Sequence, residues 1–391
     1  MKNKLMRTTA LVGSLVFIGT SISSAQTTVS GNLDLSFRTV QQKNTPKNSY
    51  QGFGKESQIN ISNKGKLNNG LDYAAGFALE YDGDDNGKNG SSGWATENTY
   101  IDFISGGTTL TIGIDHIQNP DSHAFVNMSG VGYIGVQGAG VSNPGATAGG
   151  ADKFAMSIYP TNTLSQYQAP GIGIMQKTDV GTFSINYVPT SAWSTVDFGT
   201  SKSYATGTSN LSFLGADIGN SNSVTLYEGT GEASYEFGFT GNLGVKGLNV
   251  MAFYNTSNET DANVGGAKYT GKVLGANYNF GQFSVGVDWR KQENAQSGTQ
   301  NVVATGKAVG IAYAATPNFT LGAVYGKADL GGTASYISGY TDAEKTKIIS
   351  AGYNLGPVVV NAQVRETKSL GGSAAVNGEP KDAIVKVSTK F

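Results

Sequence analysis

Cysteine is absent from the chain, which excludes disulfide staples and thiolate metal sites. Proline is scarce, at 9 of 391 residues, and histidine occurs only twice, at His116 and His123. Beyond residue 25 no apolar run approaches the roughly 18 residues that a membrane-spanning helix needs, so a helical membrane protein is excluded. An excess of one charge is missing too. The chain has 27 basic and 28 acidic residues, and three of the basic ones, Lys2, Lys4 and Arg7, belong to a leader, leaving 24 against 28. So mild an imbalance does not point to nucleic acid or any other polyanion. Glycine (55), tyrosine (19) and phenylalanine (17) are plentiful. Disordered chains are poor in aromatics, so glycine with aromatics and no cysteine suggests an all-β wall.

Lys2, Lys4 and Arg7 precede an apolar stretch from Ala10 to Ile22, and Ser23-Ser24-Ala25 supplies small residues for signal peptidase. The stretch is too short and too lightly flanked to read as a membrane span. Residues 1–25 therefore read as a signal peptide cut between Ala25 and Gln26, and 26–391 as one β-barrel domain.

From there the apolar period is two. In Val29-Ser30-Gly31-Asn32-Leu33-Asp34-Leu35-Ser36-Phe37-Arg38 the odd positions are apolar or Gly and the even ones polar, and Phe283 to Arg290 repeats the pattern. Such alternation gives a strand with one greasy and one wet face. It fits a soluble sandwich with the greasy face inward or a membrane barrel with that face outward. Connection lengths decide between them. Strands are expected at about 27–40, 55–63, 70–82, 96–105, 108–116, 166–176, 181–189, 226–238, 246–256, 271–280, 282–291, 306–315, 318–327, 345–355, 357–367 and 381–391, sixteen in all. Short connections such as Ser105-Gly106-Gly107 and Leu355-Gly356-Pro357 alternate with long ones, the longest at 117–165. Tight turns on one rim and long loops on the other mark a sixteen-stranded antiparallel up-and-down transmembrane β-barrel. Hydrocarbon offers backbone groups no partner, so the last strand must pair with the first. A barrel of this size encloses water rather than a packed core. Aromatics such as Tyr73, Phe183, Tyr278, Trp289, Tyr313 and Tyr353 fall on the apolar face, most near strand ends where interfacial girdles sit.

Three stretches, Val29–Asp34, Ser62–Leu71 with Phe77–Glu80, and Asn98–Phe103 with Ser105–Gly113, resemble the general porins of Gram-negative bacteria. The terminal Phe391, with Val385 and Val387 on its face, resembles the aromatic signature read by the outer-membrane barrel assembly machinery. The resemblance implies short periplasmic turns, long extracellular loops and a homotrimer in the outer membrane. It also implies that the third loop, 117–165, folds into the lumen as a constriction. Family members often end the strand before this loop with Gly-Arg, whereas this chain has Gly113-Ile114-Asp115, so an anion preference does not carry over.

Chemistry-bearing clusters are few. His116 and His123 stand near Asp115 and Asp121, but no nucleophile or orienting group accompanies them at a fixed spacing, so neither catalysis nor a cofactor is expected. Asp82-Gly83-Asp84-Asp85-Asn86-Gly87 opens like a calcium loop, yet Gly93 stands where the bidentate Glu belongs. Wet-face charges carry more weight. Arg38, Arg365 and Lys386 form an expected basic wall on strands that become neighbours on closure. Asp102, Asp115, Asp121, Glu232 and Glu236 form the expected acidic wall and constriction. Adding Asp34, Asp72, Glu80 and Asp288 on one side and Arg290 and Lys390 on the other leaves a small acidic excess. That excess predicts a passive channel for small hydrophilic solutes and ions with a weak cation preference. A substrate-specific channel of the same fold would want a track of lumenal aromatics, of which Tyr100 and Phe253 are the obvious ones. An adhesin or β-solenoid would show a repeat of about 20 residues, and none is visible.

Overall fold

Strands with one greasy face need lipid outside or a core inside, and this chain takes the first course. A computed structural model describes residues 25–42, 49–83, 95–114, 170–188, 233–257, 267–296, 300–332, 342–369 and 380–391. It contains β1 (Gln26–Gln42), β2 (Ser49–Lys66), β3 (Asp72–Gly83), β4 (Ala95–Ser105), β5 (Thr108–Ile114), β6 (Pro170–Thr178), β7 (Gly181–Val188) and β8 (Ser234–Gly241). There follow β9 (Leu248–Ser257), β10 (Ala267–Phe280), β11 (Phe283–Gln296), β12 (Gln300–Thr316), β13 (Phe319–Gly332), β14 (Glu344–Asn354), β15 (Val358–Lys368) and β16 (Pro380–Lys390). Each strand pairs antiparallel with its chain neighbours, and the ring closes through β1 and β16. The sixteen expected strands are all present.

Boundaries differ where a partner extends a strand beyond its own pattern. The expected 55–63 becomes Ser49–Lys66, because β1 offers a ladder from Gln41↔Ser49 to Gln26↔Lys64. Of the expected 226–238, residues 226–232 lie outside the described ones, and the strand runs on to Gly241 in a ladder with β7 from Val188↔Ser234 to Gly181↔Gly241.

The two faces are the inverse of a soluble protein's. Along β14, Glu344, Thr346, Ile348 and Ser350 point inward and are buried, while Ile349 on the other face is 69% exposed. Val287, Val309, Leu274 and Val364 are likewise outward and exposed. In lipid such groups lie against hydrocarbon, so the outward row carries no hydrophobic penalty. The ladder supplies what a core would otherwise supply, because in hydrocarbon every backbone polar group must find its partner inside the protein.

The short turns gather the aromatics. Phe280, Phe283 and Tyr313 stack in series, with ring centroids 5.8 and 4.9 Å apart, and Phe319 meets Tyr353 at 6.2 Å. Gly106 and Gly281 turn the chain at φ +57° and +59°, left-handed values that a side chain tolerates poorly.

Closure ends at the last residue. Gly31 and Phe391 exchange backbone hydrogen bonds of 2.7 and 3.0 Å. The Phe391 ring lies over Gly31: a Cβ built there would stand 2.5 Å from the ring's Cζ. Gly31 is thus the seat of the terminal aromatic.

Candidate functional site

Even-numbered positions of β1 and β16 point inward, as do the odd-numbered positions of β15. Closure therefore brings Arg38, Arg365 and Lys386 onto three adjoining strands. Arg365 lies directly opposite Asp382 in the ladder, its Nε 3.0 Å from Oδ1 and its Nη2 2.6 Å from Oδ2. Both side chains are almost wholly buried. Lys386 reaches across the closing seam to Asp34 at 2.6 Å. Arg38 sits between Gly52 and Ile384 in the register. On β11, Arg290 and Asp288 share the inward face two residues apart and pair at 2.9 Å, again both buried.

Arg365, Lys386 and Arg290 thus arrive with carboxylates beside them. A fork-to-fork guanidinium–carboxylate pair presents a dipole, whose field falls off faster than a lone charge's. Of the expected basic wall, Arg365 and Lys386 stand in ion pairs on the wet face. Asp382 went unnoticed in the sequence although it shares parity with Lys386 four residues on.

The acidic residues are held differently. Asp102 on β4 accepts a hydrogen bond from Thr111 of β5. Glu236 on β8 lies in one row with Asn186 of β7 and Asn255 of β9, whose amides donate to its two oxygens at 3.2 and 3.4 Å. These donors are neutral side chains. Asp102 and Glu236 stand four strands apart and do not form one wall. Asp72, expected on the same face, is at the short-turn rim, where Lys66 pairs with it at 2.6 Å. Asp115, Asp121, Glu232, His116, His123 and most of the acidic 82–87 loop lie outside the described residues.

Other inward residues add polar capacity that sequence reasoning passed over: Glu344, and the hydroxyls of Thr346 and Thr367 at 3.1 Å. Their signal was the same parity, weakened because hydroxyls and amides occur on both faces of a strand. Tyr100 and Phe253 do point inward, but on β4 and β9, and Phe253 packs buried with Met251 and Val273. They make no continuous track. Among the described residues no group of three or more His, Cys, Asp or Glu could hold a metal ion.

A ring of polar, charge-paired side chains inside a greasy cylinder can pass water and small ions. A sequence profile of the family described as Gram-negative porin matches residues 8–372. No curated protein matches the chain. Among solved structures, the chain resembles the anion-selective porin from Comamonas acidovorans, with 13% identity, a TM-score of 0.63 and coverage of 94% of this chain and 100% of that one. It resembles Salmonella typhi OmpF in complex with daunomycin at 13% identity and TM-score 0.59, covering 94% and 98%. It also resembles the trimer form of in-vitro folded OmpT from Vibrio cholerae, at 10% identity and TM-score 0.55, covering 93% and 99%.

Proposed function

Because the chain belongs to the family of Gram-negative porins, whose closed barrel spans the outer membrane, we propose that it is a water-filled channel for passive diffusion of small hydrophilic solutes and ions, weakly preferring cations. The observation that carries this reading is the inverted wall: buried ion pairs and amide-held carboxylates inside, Ile349 and its neighbours outside. Water is the solvent such an interior needs. Arg365, Arg290 and Lys386 each stand beside a carboxylate, Asp382, Asp288 and Asp34, and Asp102 and Glu236 add two more carboxylates to the inward face. The small acidic excess among the wet-face residues supports the cation preference. The fold does not fix the sign of selectivity, since the anion-selective porin from Comamonas acidovorans shares it.

The test is single-channel recording of the reconstituted protein with a salt gradient. We expect ohmic conductance and a reversal potential of cation sign. Asp102→Asn with Glu236→Gln should bring that potential toward zero or past it, by roughly 10 mV or more, since a few charges within about 8 Å of the path dominate. A reversal potential unmoved by the pair would place both carboxylates off the path. The substrate-specific alternative predicts conductance that saturates with one solute.

We further propose that the connection 117–165 with Asp115 and Asp121, which lies outside the described residues, narrows the channel. Three copies assemble in lipid, in keeping with the trimer form of in-vitro folded OmpT from Vibrio cholerae. The leader is cut after Ala25, so mature protein should begin at Gln26 by amino-terminal sequencing. Phe391 serves both as the assembly machinery's signal and as the ring over Gly31. Deleting Phe391 should slow assembly in cells. Gly31→Val leaves the signal but unseats the ring, and should cost about 1–3 kcal/mol in unfolding of the refolded barrel. Equal effects of the two changes on assembly rate would count against a separate signalling role.

A further inference from the structure

Parity places a set of lysines on the greasy face of the barrel, where the wet-face charges have no part. Lys307 of β12 lies directly opposite Lys327 of β13, Lys327 opposite Lys345 of β14, and Lys345 opposite Lys368 of β15. Four lysines thus stand in one ladder row across four neighbouring strands. A second row, two residues nearer the short turns, carries Lys347 and Lys381 with Glu366 between them. The face is fixed by Val309, Ile349 and Val364, all exposed and sharing parity with these lysines on their own strands. On β10 and β11 the pair Lys272↔Lys291 continues the arc.

Like charges directly opposite one another in a sheet are destabilising. Two of the lysines in this region have carboxylate company, Lys291 with Glu293 and Lys327 with Asp329. Among the described residues Lys307, Lys345, Lys347, Lys368 and Lys381 form no ion pair. A row that repels itself on an exposed surface invites an anion from outside the chain.

The height of the row says which anion. Counted from the short turns, Lys307 is nine residues from Thr316, Lys345 nine from Asn354 and Lys368 ten from Val358. At about 3.3 Å per residue and a tilt near 40°, that is roughly 20–25 Å, the top of an apolar band about 25 Å tall. Lysine on the lipid face is costly at mid-membrane and nearly free at this level. Below the row the wall is Val309, Ile349 and Val364, suited to acyl chains. At the row, Tyr325, Lys345, Lys347, Glu366 and Lys368 border a hollow of about 220 Å³ on the outer wall. An occupant must be greasy below and anionic above.

We propose that the row Lys307–Lys327–Lys345–Lys368, with Lys347 and Lys381 beneath it, is a docking surface for the phosphate groups of a lipid headgroup in the leaflet at the long-loop rim. The proposal rests on the outer-membrane placement of the barrel and not on what its lumen conducts. Lysine suits this task as a compact donor of three N–H groups that follows a phosphate without demanding one geometry.

The test uses the full mature barrel in dodecyl maltoside, titrated with dilauroyl phosphatidic acid and, separately, with dilauroyl phosphatidylcholine and inorganic phosphate. Bound lipids are counted by native mass spectrometry, and thermal unfolding is followed in parallel. The variant is Lys307→Gln, Lys327→Gln, Lys345→Gln and Lys368→Gln together. At about fivefold per lysine near an anionic surface, the four changes should weaken phosphatidic acid binding by at least about a hundredfold. Phosphatidic acid should raise the unfolding midpoint of the native protein and not of the variant. In maltoside alone the variant should be no less stable, because the repulsion has gone. The corresponding four-arginine variant, which keeps the charge, must still bind. Equal binding by native protein and glutamine variant would overturn the proposal, and so would loss of binding in the arginine variant. Protection by inorganic phosphate as strong as by the lipid would assign the row to a soluble anion instead. Single-channel conductance of the glutamine variant should stay at the native value, so failure of the lipid reading and failure of the channel reading are told apart.

Discussion

Asp382→Asn is expected to lower the stability of the folded barrel by about 3 kcal/mol, and to shift the reversal potential toward anions. The substitution keeps shape and volume, so no cavity confounds it. It removes the carboxylate that Arg365 meets through two hydrogen bonds of 3.0 and 2.6 Å, in a place where both side chains are buried. A buried ion pair contributes little net stability as a pair, because desolvation offsets attraction, but removing one partner leaves the other's desolvation without its main compensation. Two relaxations are open: loss of stability, or recruitment of an anion from the lumen. Both follow from one cause and both are measurable, by the urea midpoint of the refolded barrel and by the reversal potential in a salt gradient. Adding Arg365→Gln to Asp382→Asn should recover most of the loss, since neither buried charge then remains. A midpoint within about 0.5 kcal/mol of native for Asp382→Asn would mean that other groups neutralise Arg365. Charge reversal at Arg365, the natural choice from sequence alone, is the poorer experiment. Glutamate there would face Asp382 directly and mix repulsion with selectivity.

Shortening the connection between Gln118 and Ser165 is expected to raise single-channel conductance by roughly twofold or more, because a sixteen-stranded wall by itself encloses an aqueous channel. Its length motivates this: the connection is far longer than joining neighbouring strands requires. Conductance rises with the cross-section at the narrowest point, so removing an occluding segment acts on the step that limits flow. The wall and its ladder stay intact, and the folded, heat-modifiable band on gels should persist. Conductance unchanged at native stability would mean that the segment lies outside the lumen, and that the wall's own side chains set the constriction.

Much of this molecule could be read before any fold was known. The period of two survives in every strand because side-chain alternation is a local steric property of extended backbone. Gly106 and Gly281 mark turns because no other residue holds a left-handed φ so readily. Parity even separates the greasy lysines from the wet ones: Lys345, Lys347 and Ile349 alternate with Thr346 and Ile348 in plain sight. The even strand count and the alternation of connection lengths then made a closed barrel the economical solution.

What parity could not supply is register. Whether Arg365 meets Asp382 or a neutral neighbour depends on the vertical offset of β15 against β16, and a slip of two residues would keep every side chain on its face while dissolving the pair. The same holds for the row Lys307–Lys327–Lys345–Lys368, whose members are scattered over sixty residues of sequence and meet only because three successive ladders align them. Strand ends were hidden for the same reason: β2 runs from Ser49 to Lys66 because β1 has backbone groups to match it, not because its own alternation extends so far. Offsets are fixed by sixteen strands pairing in a ring at once, with the Gly31–Phe391 contact closing the last seam. Alternation is decided residue by residue and is therefore written in the sequence; register is a property of the closed ladder, and only the tertiary structure decides it.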